Sequence, residues 1–164
     1  MKNSQVKTVN SKNPQQTFNL GKNLGKQISQ GICIALKGEL GAGKTTFVQG
    51  FAKGLKVSEK YYITSPTFNI INIYPAESFT LCHIDLYRVA SVEELEYTGF
   101  DDLTGENHIL IIEWPELLEQ IDFKFDIEIN FKFDDCYNRI LSLSASGQQG
   151  PNLINKISDK QNIL

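Results

Sequence analysis

The strongest chemical signal in the chain is one short run, Gly38-Glu39-Leu40-Gly41-Ala42-Gly43-Lys44-Thr45, which satisfies the pattern G-x-x-x-x-G-K-[ST]. Small residues at these positions let backbone N–H groups turn inward around an anion, and the free amides and dipole of a following helix favour negative charge there. Glu39, Leu40, Gly41, Ala42 and Gly43 would form the cradle, and Lys44 would bring an ammonium to the β- and γ-phosphate oxygens. Thr45 would turn its hydroxyl to Mg²⁺, a small octahedral ion that bridges phosphate oxygens, and Thr46 can reach the α-phosphate. The chemistry implied is the binding of ATP with Mg²⁺ and, given suitable acids nearby, its hydrolysis.

Two acids stand where strands should end beside such a nucleotide: Asp85 after Leu81-Cys82-His83-Ile84, and Glu113 after Ile109-Leu110-Ile111-Ile112. We assign Asp85 to the Mg²⁺ shell and Glu113 to the attacking water or the metal, roles that the two can exchange. Lys44 joins them as the third catalytic group. Ser65-Pro66-Thr67-Phe68 sets two hydroxyls beside a proline-stiffened turn, which suits a segment that orders around a γ-phosphate and Mg²⁺; a plain turn before a hairpin is the alternative. Trp114, the only tryptophan, could stack on a base, but on sequence alone it reads as core. His83 has no cysteine or second histidine at ligand spacing and reads as a strand residue. Arg88 could bind phosphate or a partner, or form a surface salt bridge; the only other arginine is Arg139.

These groups need a frame. Asn13-Pro14 caps a helix carrying Phe18, Leu20, Leu24 and Ile28, which Gly31 would close. Ile32 to Leu36 is a short apolar run with the pattern of a strand buried on both faces, and it feeds the glycine segment. Phe47, Val48, Phe51, Ala52 and Leu55 then fall at helical spacing. Phe68 to Tyr74 and Phe79 to Leu86 read as an antiparallel hairpin around Pro75-Ala76-Glu77-Ser78. Ser91 and Glu94 form a capping box for a short helix that Gly99 would stop. Ile109 to Ile112 is a second buried central strand, with Pro115 opening a helix through Leu118. Phe125, Ile127, Ile129, Phe131 and Phe133 alternate with polar residues, and Ile140, Leu141 and Leu143 follow a turn at Asp134 to Asn138, giving a half-exposed hairpin. The fold class expected is therefore α/β, a P-loop NTPase-like mixed sheet flanked by helices with antiparallel hairpins. One domain would span residues 1–146, and 147–164 would be a polar tail, disordered or loosely docked.

Composition narrows the function classes. The 164 residues suffice for one hydrophobic core, and 21% charged with 41% hydrophobic is the balance of an ordinary soluble globular protein. A net charge of −3 offers no broad footprint for a phosphate backbone, so any nucleic acid would be held by a partner. Cys33, Cys82 and Cys136 are too scattered for a disulfide framework and read as core residues in a reducing cytosol. The absence of a secretory signal or an apolar run of about 18 residues points to a soluble, cytoplasmic protein without a membrane partner. Guanine specificity is disfavoured because Asn155-Lys156-Ile157-Ser158 lacks the aspartate of the base-reading motif, and Asp102-Leu103-Thr104-Gly105 has no apolar strand leading into it. A small P-loop kinase would want more than two arginines to clamp two anionic substrates. An ATPase, or an ATP-gated adaptor with negligible turnover, remains.

Taken together, GELGAGKTTF, SPTF, HIDLYRV with VEELEYTGF, and IIEWPE resemble the TsaE (YjeE) family, bacterial ATPases required for threonylcarbamoyladenosine formation on tRNA. The resemblance covers roughly Phe18 to Glu116, and four separate motifs are far more specific than the phosphate loop alone. It implies a small mixed sheet flanked by helices, with partners TsaB and TsaD, of which TsaD performs the transfer, so that tRNA is met only indirectly. It also implies that Lys44 and Thr45 bind phosphate and Mg²⁺, that Asp85 and Glu113 serve the metal and hydrolysis, that Thr67 belongs to a switch-like segment, and that Trp114 sits at the nucleotide site.

Overall fold

The computed structural model describes residues 5–103 and 105–157. In chain order the elements are β1 (Gln5–Ser11), α1 (Pro14–Gly25), β2 (Ile32–Lys37), α2 (Lys44–Gly54), β3 (Ile71–Pro75), β4 (Thr80–Asp85), α3 (Val92–Glu96), a 3-10 turn (Phe100–Leu103), β5 (His108–Glu113), α4 (Glu116–Glu119), β6 (Ile127–Phe133), β7 (Arg139–Ala145) and α5 (Gly150–Asn155). The strands form one seven-stranded sheet in the order β1-β7-β6-β2-β5-β4-β3. β6, β2, β5 and β4 run parallel to their neighbours in the centre, while β3 on one side and β7 with β1 on the other are antiparallel. The mixed sheet flanked by helices matches the expected class.

The apolar runs of β2 and β5 are central because both their faces are covered. Ile109 and Ile111 enter the cluster beneath α1 and α2, whereas Leu110 and Ile112 enter the one that Leu95, Phe100, Leu103 and Leu118 close from the other side. The α1–α2 contact is unusually close: a Cβ on Gly21 would sit 2.1 Å from the Phe47 carbonyl oxygen, and one on Gly50 would sit 1.9 Å from that of Phe18. The phosphate-loop helix is thereby clamped to its neighbour backbone against backbone.

Several boundaries differ from expectation. α1 starts as anticipated, with the Asn13 side chain accepting from the Gln16 amide, but ends at Gly25 rather than Gly31. Gly31 instead donates its amide to the Glu106 carbonyl at 2.7 Å, joining the β2 entrance to the loop before β5. β3 begins at Ile71, not Phe68, because residues 66–70 curl into a turn closed by Ile70 N–H to Pro66 O at 2.6 Å. β1 has only Val6 and Val9 as apolar residues, too weak a pattern to announce a strand, and it forms by pairing with β7 at the sheet edge. In the segment expected as a loose tail, α5 buries Leu153 and Ile154, followed by Ile157, against the main core; residues 158–164, and so Ser158, lie outside the described residues, as does Thr104. Cys82 is buried and Cys33 half-buried, but Cys136, expected in the core, is exposed in the β6–β7 turn, where Asp134 accepts from its amide.

Candidate functional site

β2 ends at Lys37, and the next residues wrap over the carboxyl end of the sheet before α2 begins. Gly38, Gly41 and Gly43 take φ of 143°, 80° and 105°, conformations that L side chains rarely adopt. Gly43 is the N-cap of α2 and offers no side chain to its first amides, so the leading N–H groups of that helix are left for an anion. Lys44 is buried, and its Nζ donates to the carbonyls of Gly38 at 2.6 Å and Glu39 at 2.9 Å. Burial lowers the pKa of this ammonium, opposed by Glu113, Asp85 and Glu116. The same Nζ lies 4.4 Å from the Trp114 ring centroid.

The two acids are opposite one another in the β4–β5 register, and both are buried. Asp85 Oδ2 accepts from Ser65 Oγ at 2.7 Å and from Thr67 Oγ1 at 2.9 Å, while Oδ1 accepts from the Tyr87 amide at 2.9 Å. The turn at 65–67 is thus tied to the strand-end acid. Glu113 Oε1 faces Thr45 Oγ1 at 3.2 Å and His83 Nε2 at 2.7 Å. Trp114 follows with φ 56°, rare for a bulky residue and a sign of a constrained site. Its ring stands off the core and meets Tyr87 at a centroid distance of 4.9 Å, correcting the core placement expected from sequence alone.

These groups line one cleft of about 410 Å³. Leu40, Gly41, Gly43, Lys44, Thr45 and Thr46 border it from the loop, and Thr67, Asp85, Glu113 and Trp114 from across the sheet. Ala42 and Glu39 are not among the residues lining it: the Ala42 carbonyl accepts from Arg139, and that of Glu39 accepts from Lys44. Thr45, Asp85 and Glu113 supply only hard oxygens, and among the described residues no group of three or more His, Cys, Asp or Glu forms a closed metal cage. Such a donor set fits Mg²⁺, which keeps several waters and takes phosphate oxygens as further ligands. Arg88 borders the cleft with its guanidinium 4.3 Å from the Phe68 ring.

Sequence reasoning passed over Arg139, Tyr87 and the part played by His83. Arg139 opens β7, donates from Nε to the Ala42 carbonyl at 2.9 Å and lies over Gly43, where an added Cβ would come within 2.8 Å of it. Its separation from the loop by more of the chain than any local motif spans left no signal beyond the rarity of arginine here. Tyr87 followed Asp85 in plain view, but its contact with Trp114 depends on β4 and β5 lying side by side.

Comparison with known proteins bears on the whole arrangement. Residues 11–141 match the family model described as threonylcarbamoyl adenosine biosynthesis protein TsaE. Two similar relatives, both named tRNA threonylcarbamoyladenosine biosynthesis protein TsaE, are those of Rickettsia conorii and Borreliella burgdorferi. The first is 34% identical over 142 residues, covering 87% of this chain and 79% of the relative. The second is 40% identical over 107 residues, covering 65% and 76%. Among solved structures, the crystal structure of Bacillus subtilis YdiB superposes with a TM-score of 0.77 at 28% identity, over 97% of this chain and 98% of that one. With a family model spanning the strand, loop and acids that build the cleft, the chain belongs to the TsaE family of P-loop nucleotide-binding proteins.

Proposed function

We propose that this protein is a Mg²⁺-dependent ATPase of the cytoplasm that supports threonylcarbamoyladenosine modification of tRNA together with TsaB and TsaD. The observation that carries the reading is the convergence of Lys44, Thr45, Asp85 and Glu113 on one cleft at the carboxyl ends of β2, β4 and β5. The family names of the relatives supply the pathway. The net charge of −3 favours a subunit that meets tRNA through its partners.

In this reading the loop amides and Lys44 bind the triphosphate tail, and the Lys44 ammonium leaves the Gly38 and Glu39 carbonyls for the β- and γ-oxygens. Thr45 and Glu113, already in contact, would hold Mg²⁺, and Asp85, which fixes Ser65 and Thr67, would serve the same ion or its water. Mg²⁺, when bound there, would supply positive charge to offset the negative charge of the triphosphate. Glu113 and Asp85 would orient the attacking water, and Trp114 with Tyr87 forms one wall of the cleft. Glu113→Ala should lower kcat by about 10²–10³-fold while metal-free ATP binding persists. Retained turnover in that variant would remove Glu113 from the mechanism.

A second reading, an ATP-gated adaptor with negligible turnover, is favoured by the bonds that join Asp85 to the 65–67 turn and by the exposed Phe68 beside it. It predicts a negligible rate in the unmodified protein and no change on Glu113→Ala. Co-purification with the TsaB–TsaD pair, with and without ATP and Mg²⁺, tests the partners: capture that ignores nucleotide speaks against gating, and no capture at all against the assignment of these partners.

A further inference from the structure

We infer that His83 is a positioning residue whose Nε2–H holds Glu113 in the orientation its metal-binding and water-orienting role requires; the inference deepens the ATPase reading and rests on it. His83 lies in the middle of β4, fully buried. Strand alternation turns Cys82 and Ile84 into one apolar cluster and sends Leu81, His83 and Asp85 to the other face, beneath the phosphate-loop helix. An imidazole there must find a polar partner or lose its hydration uncompensated. The partner is Glu113, on the adjacent strand, at 2.7 Å.

Nδ1 is buried and meets no hydrogen-bond partner among the described residues, so His83 is not held by a network of its own. Facing a carboxylate oxygen at 2.7 Å, Nε2 is the ring nitrogen placed to donate. Glu113 Oε1 then receives two donors, His83 at 2.7 Å and Thr45 at 3.2 Å, while Oε2 takes no hydrogen bond from any described residue. The shorter and more deeply buried contact is the histidine's, so it fixes the carboxylate rotamer. With that rotamer held, Thr45 can turn its hydroxyl proton away and offer a lone pair to a cation without releasing Glu113. The pattern is that of an outer partner orienting an inner ligand.

The experiment compares the unmodified protein with His83→Leu, His83→Asn and His83→Gln, measuring thermal unfolding, ATP affinity with Mg²⁺ and in its absence, and kcat. Gln can place its amide nitrogen near the Nε2 position, Asn cannot reach it, and Leu has no donor. Leu and Asn should lower kcat about 10–100-fold and reduce the gain in ATP affinity that Mg²⁺ provides by a similar factor, with metal-free affinity unchanged. Gln should recover both to within about threefold of the unmodified protein. Unaltered kcat and Mg²⁺ linkage in Leu and Asn would overturn the inference, as would equal impairment of Leu, Asn and Gln, which would point to packing alone. Should Leu fail to unfold cooperatively, the Asn and Gln pair decides. Should the unmodified protein hydrolyse no ATP, the ATPase reading falls, and the Mg²⁺-linked affinities still test His83.

Discussion

Each end of the central parallel strands carries a cavity, and the smaller of the two holds the chemistry. At the amino ends of β2 and β5, a cavity of about 810 Å³ opens between Gly31, Cys33, His108, Asp126 and Gln149. Two of its polar side chains are spent on its own walls: Asp126 Oδ2 accepts from the Cys33 amide at 2.9 Å, and Gln149 Nε2 donates to the Gly31 carbonyl at 3.1 Å. At the carboxyl ends, the cleft of about 410 Å³ gathers an ammonium, two buried carboxylates and the uncapped start of α2. Parallel strands all present their carboxyl ends, and the helices that follow them their amino ends, on the same side of a sheet. The direction of the strands, rather than the size of the hollow, decides where an anion and its metal can be held.

The sharpest way to break this contrast is Lys44→Ala. Losing a buried ammonium and its charge-assisted bonds should weaken ATP binding about 100-fold or more by calorimetry, with the fold intact. Unchanged affinity would move the nucleotide elsewhere. Gly43→Ala comes next: φ of 105° and the Arg139 Nε at 2.8 Å both oppose a side chain, so affinity should fall on the order of tenfold as the loop and Arg139 are displaced. At the far end, Gln149→Ala removes one hydrogen bond, costs about 1 kcal/mol in chemical unfolding, and leaves ATP affinity within about twofold. A larger loss of affinity would show that the amino-end cavity communicates with the cleft.

The smallest effect is in thiol labelling. Burial pushes the Cys82 thiol up to about 11, and it raises Cys33, at the amino-end cavity, further still, with Asp126 adding to the rise. A raised thiol pKa disfavours thiolate at every lower pH, so at pH 8 only about one Cys82 in a thousand is ionised. Exposed Cys136 should therefore be alkylated first, with Cys82 becoming reactive only as the pH climbs towards 11. Rapid labelling of Cys33 at pH 8 would mean that the larger cavity opens in solution.

Much of the sheet was legible because β2 and β5 are short apolar runs that only a doubly covered strand explains, and α2 repeats at helical spacing directly behind its loop. The α5 segment was not: Leu153, Ile154 and Ile157 are three apolar residues in a polar stretch, and they find a core only because β1 and β7 have formed beside them. β1 likewise exists by virtue of its partner. Trp114 was misplaced by the general rule for aromatics, since neither its φ of 56° nor its position over Lys44 can be seen without the strand-end turn that follows β5.

The residue order alone determined the phosphate loop, its strand and helix, and the two acids at strand ends, because each is a local pattern in which spacing along the chain equals spacing in space. Only the tertiary structure decided that Thr45 and His83 share Glu113, that Ser65 and Thr67 share Asp85, and that Arg139 lies over Gly43. Those contacts arise from the lateral order of strands in the sheet, which sets neighbours that are 18 to 97 positions apart and leaves no periodic trace in the sequence.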